Sequence, residues 1–95
     1  MTFEAMLPRV RQIAADVFGL PLDAVTGQSS PETIENWDSL QHVTLVVALE
    51  QAFTIQFLPE EIAEMVTIER IATLVEQKQA VVGTSLAYHL SKARS

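Results

Sequence analysis

Apolar residues recur at helical spacing near the start of the chain, from about Glu4 to Phe18. Their positions lie three and four residues apart: Phe3, Met6, Val10, Ile13 and Val17. Gly19 follows, and glycine is common just past a helix because it tolerates left-handed backbone. Pro8 has no N–H group to donate inside a helix, so we expect it in the first turn. This pattern predicts a first helix over about residues 4–18.

A second predicted helix runs from Ser39 to Phe53 and contains neither glycine nor proline. It has two apolar stripes on different sides. We expect the first stripe to be core: Leu45, Val46, Leu49 and Phe53. The second stripe is Leu40, Val43 and Val47. Because a chain of 95 residues cannot surround a helix with core on every side, we expect the second stripe to meet solvent or a partner.

Two further helices are predicted in the second half of the chain. Pro59 suits the first position of a short helix, and Glu60 and Glu61 favour the positive end of its dipole. Thr67 is a suitable N-cap for the last helix, which should end near residues 78–80. The core stripe of that helix is Ile68, Ile71, Ala72 and Val75. Residues 54–58 alternate in polarity, but a strand there would have no partner, so they are interpreted as a connector.

Two segments show no helical period. Residues 20–37 contain Pro21, Gly27 and Pro31, and they predict a long ordered loop with a short helical turn near residues 22–25. The end of the chain is interrupted by Gly83, Thr84 and Ser85. We therefore expect one domain over residues 1–80 and a mobile C-terminal tail over residues 81–95.

Composition narrows the class of protein. Hydrophobic residues make up 48% of the chain and charged residues 19%, which is typical of one globular domain. The net charge of −6 argues against nucleic acid and anionic membrane surfaces as partners. The absence of cysteine excludes disulfides, thiolate metal sites and a cysteine nucleophile. The chain has no signal-peptide pattern and no apolar stretch long enough to span a membrane, so we expect a cytoplasmic protein.

The strongest candidate for chemistry is the junction between the long loop and the second helix. Asp38 is placed to cap that helix, with Gln41 three residues later as its capping-box partner. The Ser39 hydroxyl is then free in the first turn, where unpaired N–H groups and the helix dipole favour a phosphate. The position therefore suits a phosphodiester on Ser39. From spacing alone, the simpler interpretation is that Ser39 is a second capping residue.

Around this junction the sequence resembles the acyl carrier protein family. The matching residues are Asp38-Ser39-Leu40, Val43, the segment 45–50 and Phe53. The likeness continues through the predicted elements over roughly residues 4–79. It implies an all-α fold, a four-helix carrier-protein bundle with a long first loop. It also implies a covalent 4′-phosphopantetheine on Ser39, with Asp38 as helix cap and transferase recognition residue.

The resemblance further implies a carrier and not an enzyme. The thiol of the arm would hold acyl groups as thioesters between enzymes of fatty-acid, polyketide or related specialised biosynthesis. The implied partners are a phosphopantetheinyl transferase and acyl-transferring and chain-modifying enzymes, and the implied state is a monomer. We expect the partner-binding residues to be Leu40, Val43, Val47 and Glu50. No metal is expected, since the three glutamates after Pro59 suit a solvated acidic face better than an ion site.

Two residues before Asp38 depart from the usual acyl-carrier pattern. Asn36 and Trp37 stand where a glycine and a small residue are usual; Asn36 tolerates left-handed backbone, so we expect a similar turn to survive, and we expect Trp37 to pin the loop to the core. His42 is expected to be a surface residue near the arm. A catalytic triad of Asp38, Ser39 and His42 is disfavoured, because an acid adjacent to its nucleophile cannot orient the same imidazole.

Two other functions stay open at this point. One is a small helical interaction or regulatory domain, in which Ser39 is unmodified and the exposed stripe binds a partner. The other is a peptidyl or aminoacyl carrier, although Asp38 directly before the serine favours the acyl type. The single carboxylate of the second helix, Glu50, favours partners that recognise an apolar patch over purely electrostatic docking.

Overall fold

A computed structural model describes residues 3–79, which form four helices and no strand. Helix α1 is Phe3–Phe18, α2 is Ser39–Phe53 and α3 is Pro59–Ala63. Helix α4 covers residues 68–79, and a 3-10 turn occupies Leu22–Ala24 in the long loop. The predicted all-α fold is confirmed. The predicted tail over residues 81–95 and the domain boundary at residue 80 lie outside the described residues.

Helix α1 begins and ends close to the predicted residues, but its proline lies further inside the helix than expected. Gly19 has a φ of +68°, the left-handed conformation expected just past a helix end. Pro8 lies well inside α1, beyond the first turn, so the expectation for its position was wrong. The helix continues through Pro8 because Met6 and Val10, on either side of it, are fully buried in the core. Packing of the apolar face outweighs the lost backbone hydrogen bond.

The core combines the predicted stripes of α1, α2 and α4 with anchors from the loop and the connector. In α2 the buried residues are Leu45, Val46, Leu49 and Phe53, as predicted. In α4 they include the predicted Ile68, Ile71, Ala72 and Val75. The loop contributes Val25, Ile34 and Trp37, and the connector contributes Ile55 and Phe57. These anchors hold both non-helical segments against the bundle.

The long loop also provides hydrogen-bond acceptors for the first N–H groups of α4. The first N–H groups of any helix lack partners inside the helix. In α4, Ile68 N donates to the carbonyl of Ser29 at 3.0 Å, and Glu69 N donates to the carbonyl of Gly27 at 2.8 Å. The loop is therefore fixed at a site about forty residues further along the chain.

Helix α3 is short and is held by polar contacts together with the half-buried Ile62, which packs against the core. Glu61 reaches back to accept from the Leu58 N–H at 2.7 Å, and it pairs with Lys78 of α4 at 2.6 Å. The Leu58 N–H and the Lys78 ammonium together hold the pKa of Glu61 below its ordinary value of 4.5. None of the five residues of α3 is fully buried. Within residues 3–79, no helix is both long enough and apolar enough to cross a membrane.

Candidate functional site

The junction between the loop and α2 is built on the predicted cap. Asp38 Oδ1 accepts from Gln41 N at 2.9 Å, which satisfies one of the unpaired N–H groups of the first turn. The reciprocal half of the predicted capping box is absent. The Gln41 side chain instead donates to the carbonyl of Val17 at 3.4 Å, and Asp38 N donates to the carbonyl of Asn36. Gln41 thus ties α2 to the end of α1.

Ser39 is the first residue of α2 and its side chain is exposed. Among the residues that the structure describes, none forms a hydrogen bond with the Ser39 hydroxyl. Because Asp38 takes the cap position, the hydroxyl is not needed there. A phosphate ester on it would lie beside the remaining unpaired N–H groups and the positive end of the α2 dipole. The residues present therefore fit a phosphate-linked group at this serine.

Asn36 and Trp37 brace this junction from the loop side. Trp37 is 4% exposed and its ring lies 5.2 Å from that of Phe18, so the expected anchoring to the core is confirmed. Asn36 does not have a positive φ, so the expected left-handed turn was wrong. Its side chain instead donates to the carbonyl of Phe18 at 3.0 Å. Asn36 caps the end of α1 through its amide, which backbone propensity alone does not indicate.

The sequence predicted that His42 is a surface residue, but the structure shows it partly buried. Its Nδ1 accepts from Trp37 Nε1 at 2.9 Å. Its Nε2 lies 3.3 Å from the carbonyl oxygen of Ile62 in α3. An indole N–H can only donate and a carbonyl can only accept, so the two contacts fit the tautomer that carries its proton on Nε2. Both ring nitrogens are engaged away from Ser39, which agrees with the rejection of a catalytic triad.

A cavity of about 470 Å³ opens beside Ser39, between the start of α2 and α3. Its lining combines the loop, both helices and the segment after α3: Pro31, Trp37, Asp38, Ser39, His42, Pro59, Ile62, Ala63 and Met65. Asp38 and His42 are the ionisable members of this set. The sequence did not reveal this cavity, because its walls come from segments that are distant along the chain.

The second stripe of α2 is exposed as expected. Leu40 is 74% exposed, Val43 59% and Val47 44%. Leu58 and Val66, on either side of α3, are exposed to a similar degree. The sequence does not predict these two, because isolated apolar residues in connectors have no period to reveal them.

Glu50 was expected to bind partners, but its carboxylate has an internal contact. The side chain is half-buried, and Oε2 accepts from the N–H of Phe57 in the connector at 2.9 Å. This hydrogen bond holds the connector against α2. In the part of the chain that the structure describes, no group of three or more His, Cys, Asp or Glu side chains is arranged to hold a metal ion.

Comparison with known proteins identifies the family. The family model described as "Phosphopantetheine attachment site" matches residues 8–75, well over half of the chain. The chain belongs to this family. The match confirms the resemblance to carrier proteins that the sequence shows. It also confirms a covalently attached phosphopantetheine as the cofactor.

Individual relatives agree with this assignment. The chain is 32% identical over 79 residues to an acyl carrier protein of Rubrobacter xylanophilus, covering 83% of this chain and 98% of that protein. It is 30% identical over 74 residues to an acyl carrier protein of Bdellovibrio bacteriovorus, covering 78% and 95%.

A solved structure agrees as well. The solution structure of holo acyl carrier protein from Geobacter metallireducens matches with a TM-score of 0.72 and 32% identity, over 79% of this chain and 86% of that one. The four-helix carrier fold is thereby confirmed.

Proposed function

We propose that this chain carries acyl groups as thioesters on a 4′-phosphopantetheine arm attached to Ser39. The observation that carries the proposal is the geometry of the α2 start. Asp38 caps the helix, and the exposed Ser39 hydroxyl stands beside unpaired N–H groups. Family membership makes phosphopantetheine the group expected there.

The attachment step is a phosphoryl transfer catalysed by a separate transferase. The Ser39 oxygen attacks the phosphorus that carries the pantetheine half of the coenzyme A pyrophosphate. A P–O bond to serine forms, the P–O bond within the pyrophosphate breaks, and adenosine bisphosphate leaves. The serine proton passes to a base of the transferase. On this chain, the exposed first turn of α2 gives the transferase access, and Asp38 holds that turn in place.

After attachment, the arm supplies a thiol, which the chain itself lacks because it contains no cysteine. Residues of this chain then hold the phosphodiester and present the arm. The unpaired N–H groups and the dipole of α2 stabilise the phosphodiester charge. The chain acts as a carrier and leaves acyl transfer to its partner enzymes.

The exposed stripe of Leu40, Val43 and Val47 is proposed as the partner-docking surface. It begins one residue after the attachment serine and stays out of the core. Docking through it is mainly apolar, because Glu50, the single carboxylate of α2, already bonds Phe57. The partners we propose are a phosphopantetheinyl transferase and acyl-transferring and chain-modifying enzymes of fatty-acid, polyketide or related biosynthesis. We propose that the carrier meets them as a monomer in the cytoplasm.

Intact-mass measurement tests the attachment site. The chain is incubated with coenzyme A, magnesium and a transferase of broad specificity. We expect a mass increase of one phosphopantetheinyl group, and none for Ser39→Ala. Thr44→Ala removes another exposed hydroxyl from the same helix and should be modified like the original chain. Modification of Ser39→Ala would refute Ser39 as the site, and an unmodified original chain would favour an interaction domain.

A further inference from the structure

The position of α3 depends on a few polar links. The helix has no fully buried residue, and its apolar contact with the core comes from the half-buried Ile62. Glu61 pairs with Lys78 at 2.6 Å, and Glu64, just after α3, pairs with Arg70 at 2.8 Å. Both of these links join α3 to α4. Towards α2, the link is the contact between His42 Nε2 and the carbonyl of Ile62.

His42 joins two walls of the cavity beside Ser39. Trp37 and Ile62 both line that cavity, and the imidazole bonds each of them through a different nitrogen. The Trp37 ring is also roughly parallel to the imidazole, at 21° and 6.0 Å between centroids. One side chain of α2 therefore contacts both the loop and α3 beside the serine.

We propose that His42 is a positioning residue whose neutral Nε2–H form holds Trp37 and α3 as walls of the cavity beside Ser39. Protonation of Nδ1 places an N–H opposite the indole N–H, and two donors cannot bond each other. The Trp37 contact is then lost, whereas Nε2–H can still donate to Ile62. We therefore expect protonation to release Trp37, on the loop side of the cavity, while Ile62 of α3 stays in contact with His42. This proposal deepens the proposed function, because the cavity borders the attachment serine.

The carboxylates around His42 are either paired or exposed, so the state of the His42 ring itself decides whether the contact with Trp37 forms. Asp38 also lines the cavity, but its carboxylate is bound to Gln41 N. In the α3 region, Glu61 and Glu64 are paired with lysine and arginine. The other acidic side chains of the adjoining segments are exposed: Glu32, Glu35 and Glu60. Histidine is the side chain that ordinarily changes charge between about pH 5 and 8.

The first test uses nuclear magnetic resonance on the full, unmodified chain, so it does not depend on phosphopantetheine. The chain has one tryptophan and two histidines, and His89→Asn leaves His42 as the single imidazole. We expect nitrogen shifts of the Nε2–H tautomer at pH 8. Acidification towards pH 5 should move the Trp37 indole signal together with the His42 ring signals. An Nδ1–H tautomer, or an indole signal that ignores His42 protonation, would overturn the proposal.

Two amide variants separate the two links. In His42→Asn the amide oxygen takes the place of Nδ1 and can accept from Trp37, but it cannot reach Ile62. In His42→Gln the amide nitrogen takes the place of Nε2 and can donate to Ile62, but the Trp37 acceptor is lost.

We expect His42→Asn to keep a bonded, pH-independent indole signal while amides of α3 exchange severalfold faster with solvent. His42→Gln should keep α3 protected and lose the indole shift. Identical behaviour of the two variants would refute the positioning role. Since Ser39 is untouched, all of these outcomes are independent of whether Ser39 is modified.

Discussion

At the scale of single residues, apolar side chains of the same helix, α2, have opposite environments. Phe53 is buried and lies under the guanidinium of Arg9, which is 4.6 Å from its ring centroid. Val47 lies on the same helix and is 44% exposed. The apolar character of both residues is similar, so only the face of the helix distinguishes a core position from a surface position.

Truncation of these two side chains should therefore have unequal effects. Phe53→Ala removes buried area and leaves a cavity, so we expect a loss of about 3–5 kcal/mol in the free energy of unfolding. Val47→Ala removes a partly solvated side chain and should cost less than about 1 kcal/mol. Chemical denaturation of the two variants measures both values. Equal losses would show that the two stripes of α2 are not core and surface.

The two faces could be predicted because the spacing of their residues follows the period of a helix. The Asp38 cap could be predicted because its hydrogen bond joins residues only three positions apart. The contacts of Asn36, Gln41 and His42 could not be predicted. Each of them reaches a partner from another element, and that partner depends on how the elements pack. Pro8 was misjudged because local backbone rules do not include the burial of its neighbours.

At the scale of elements, α3 differs from the three longer helices. It contributes no fully buried residue, and its carboxylate Glu61 makes two stabilising contacts, with Leu58 N–H and with Lys78. Both contacts favour the charged carboxylate, so its pKa in the folded protein is lowered. The ionised group therefore stabilises the folded state more than the unfolded state.

This contact predicts an acid-dependent loss of stability. The contribution of Glu61 is fully present above its unfolded pKa of about 4.5, and it disappears as the pH falls through the lower folded pKa. Glu61→Gln should flatten the pH dependence of the thermal midpoint below about pH 4.5. Glu60→Gln, at an exposed neighbouring position, is the matched control and should retain the steeper dependence. Identical curves for Glu61→Gln and the original chain would contradict the assignment.

At the scale of the whole molecule, helices α1 to α4 separate a buried interior from a surface that carries exposed apolar side chains. The interior is closed by residues of all three long helices, the loop and the connector. Most of the exposed large apolar side chains that the structure describes lie on α2 or beside α3. This division predicts that docking and stability can be changed independently.

An added charge on the docking surface should weaken partner recognition without unfolding the protein. Val43→Asp places a carboxylate on a side chain that is 59% exposed. We expect a raised KM for the phosphopantetheinyl transferase and a thermal midpoint close to that of the original chain. Gln77→Asp adds the same charge at an exposed position of α4, away from this stripe, and should leave KM nearly unchanged. An equal rise in KM for both variants would indicate that net charge, and not the apolar stripe, governs docking.

The C-terminal tail is expected to be dispensable for the fold. The core assembled by residues 3–79 already buries the apolar faces of α1, α2 and α4. Deletion of residues 82–95 should leave both Ser39 modification and thermal stability intact. A loss beyond about 1 kcal/mol, which corresponds to several degrees in a domain of this size, would place the tail within the folded unit.

The hydrogen bonds from Ile68 and Glu69 to the loop have a consequence for the order of events during synthesis. A chain growing on the ribosome produces the loop and the attachment serine long before it produces α4. Until those later residues emerge, the carbonyls of Ser29 and Gly27 have no helix start to bind, and the loop that leads to Ser39 lacks its distal anchor. The loop can therefore take up this arrangement only after the start of α4 has been made, and we expect the final presentation of Ser39 to follow the synthesis of that helix.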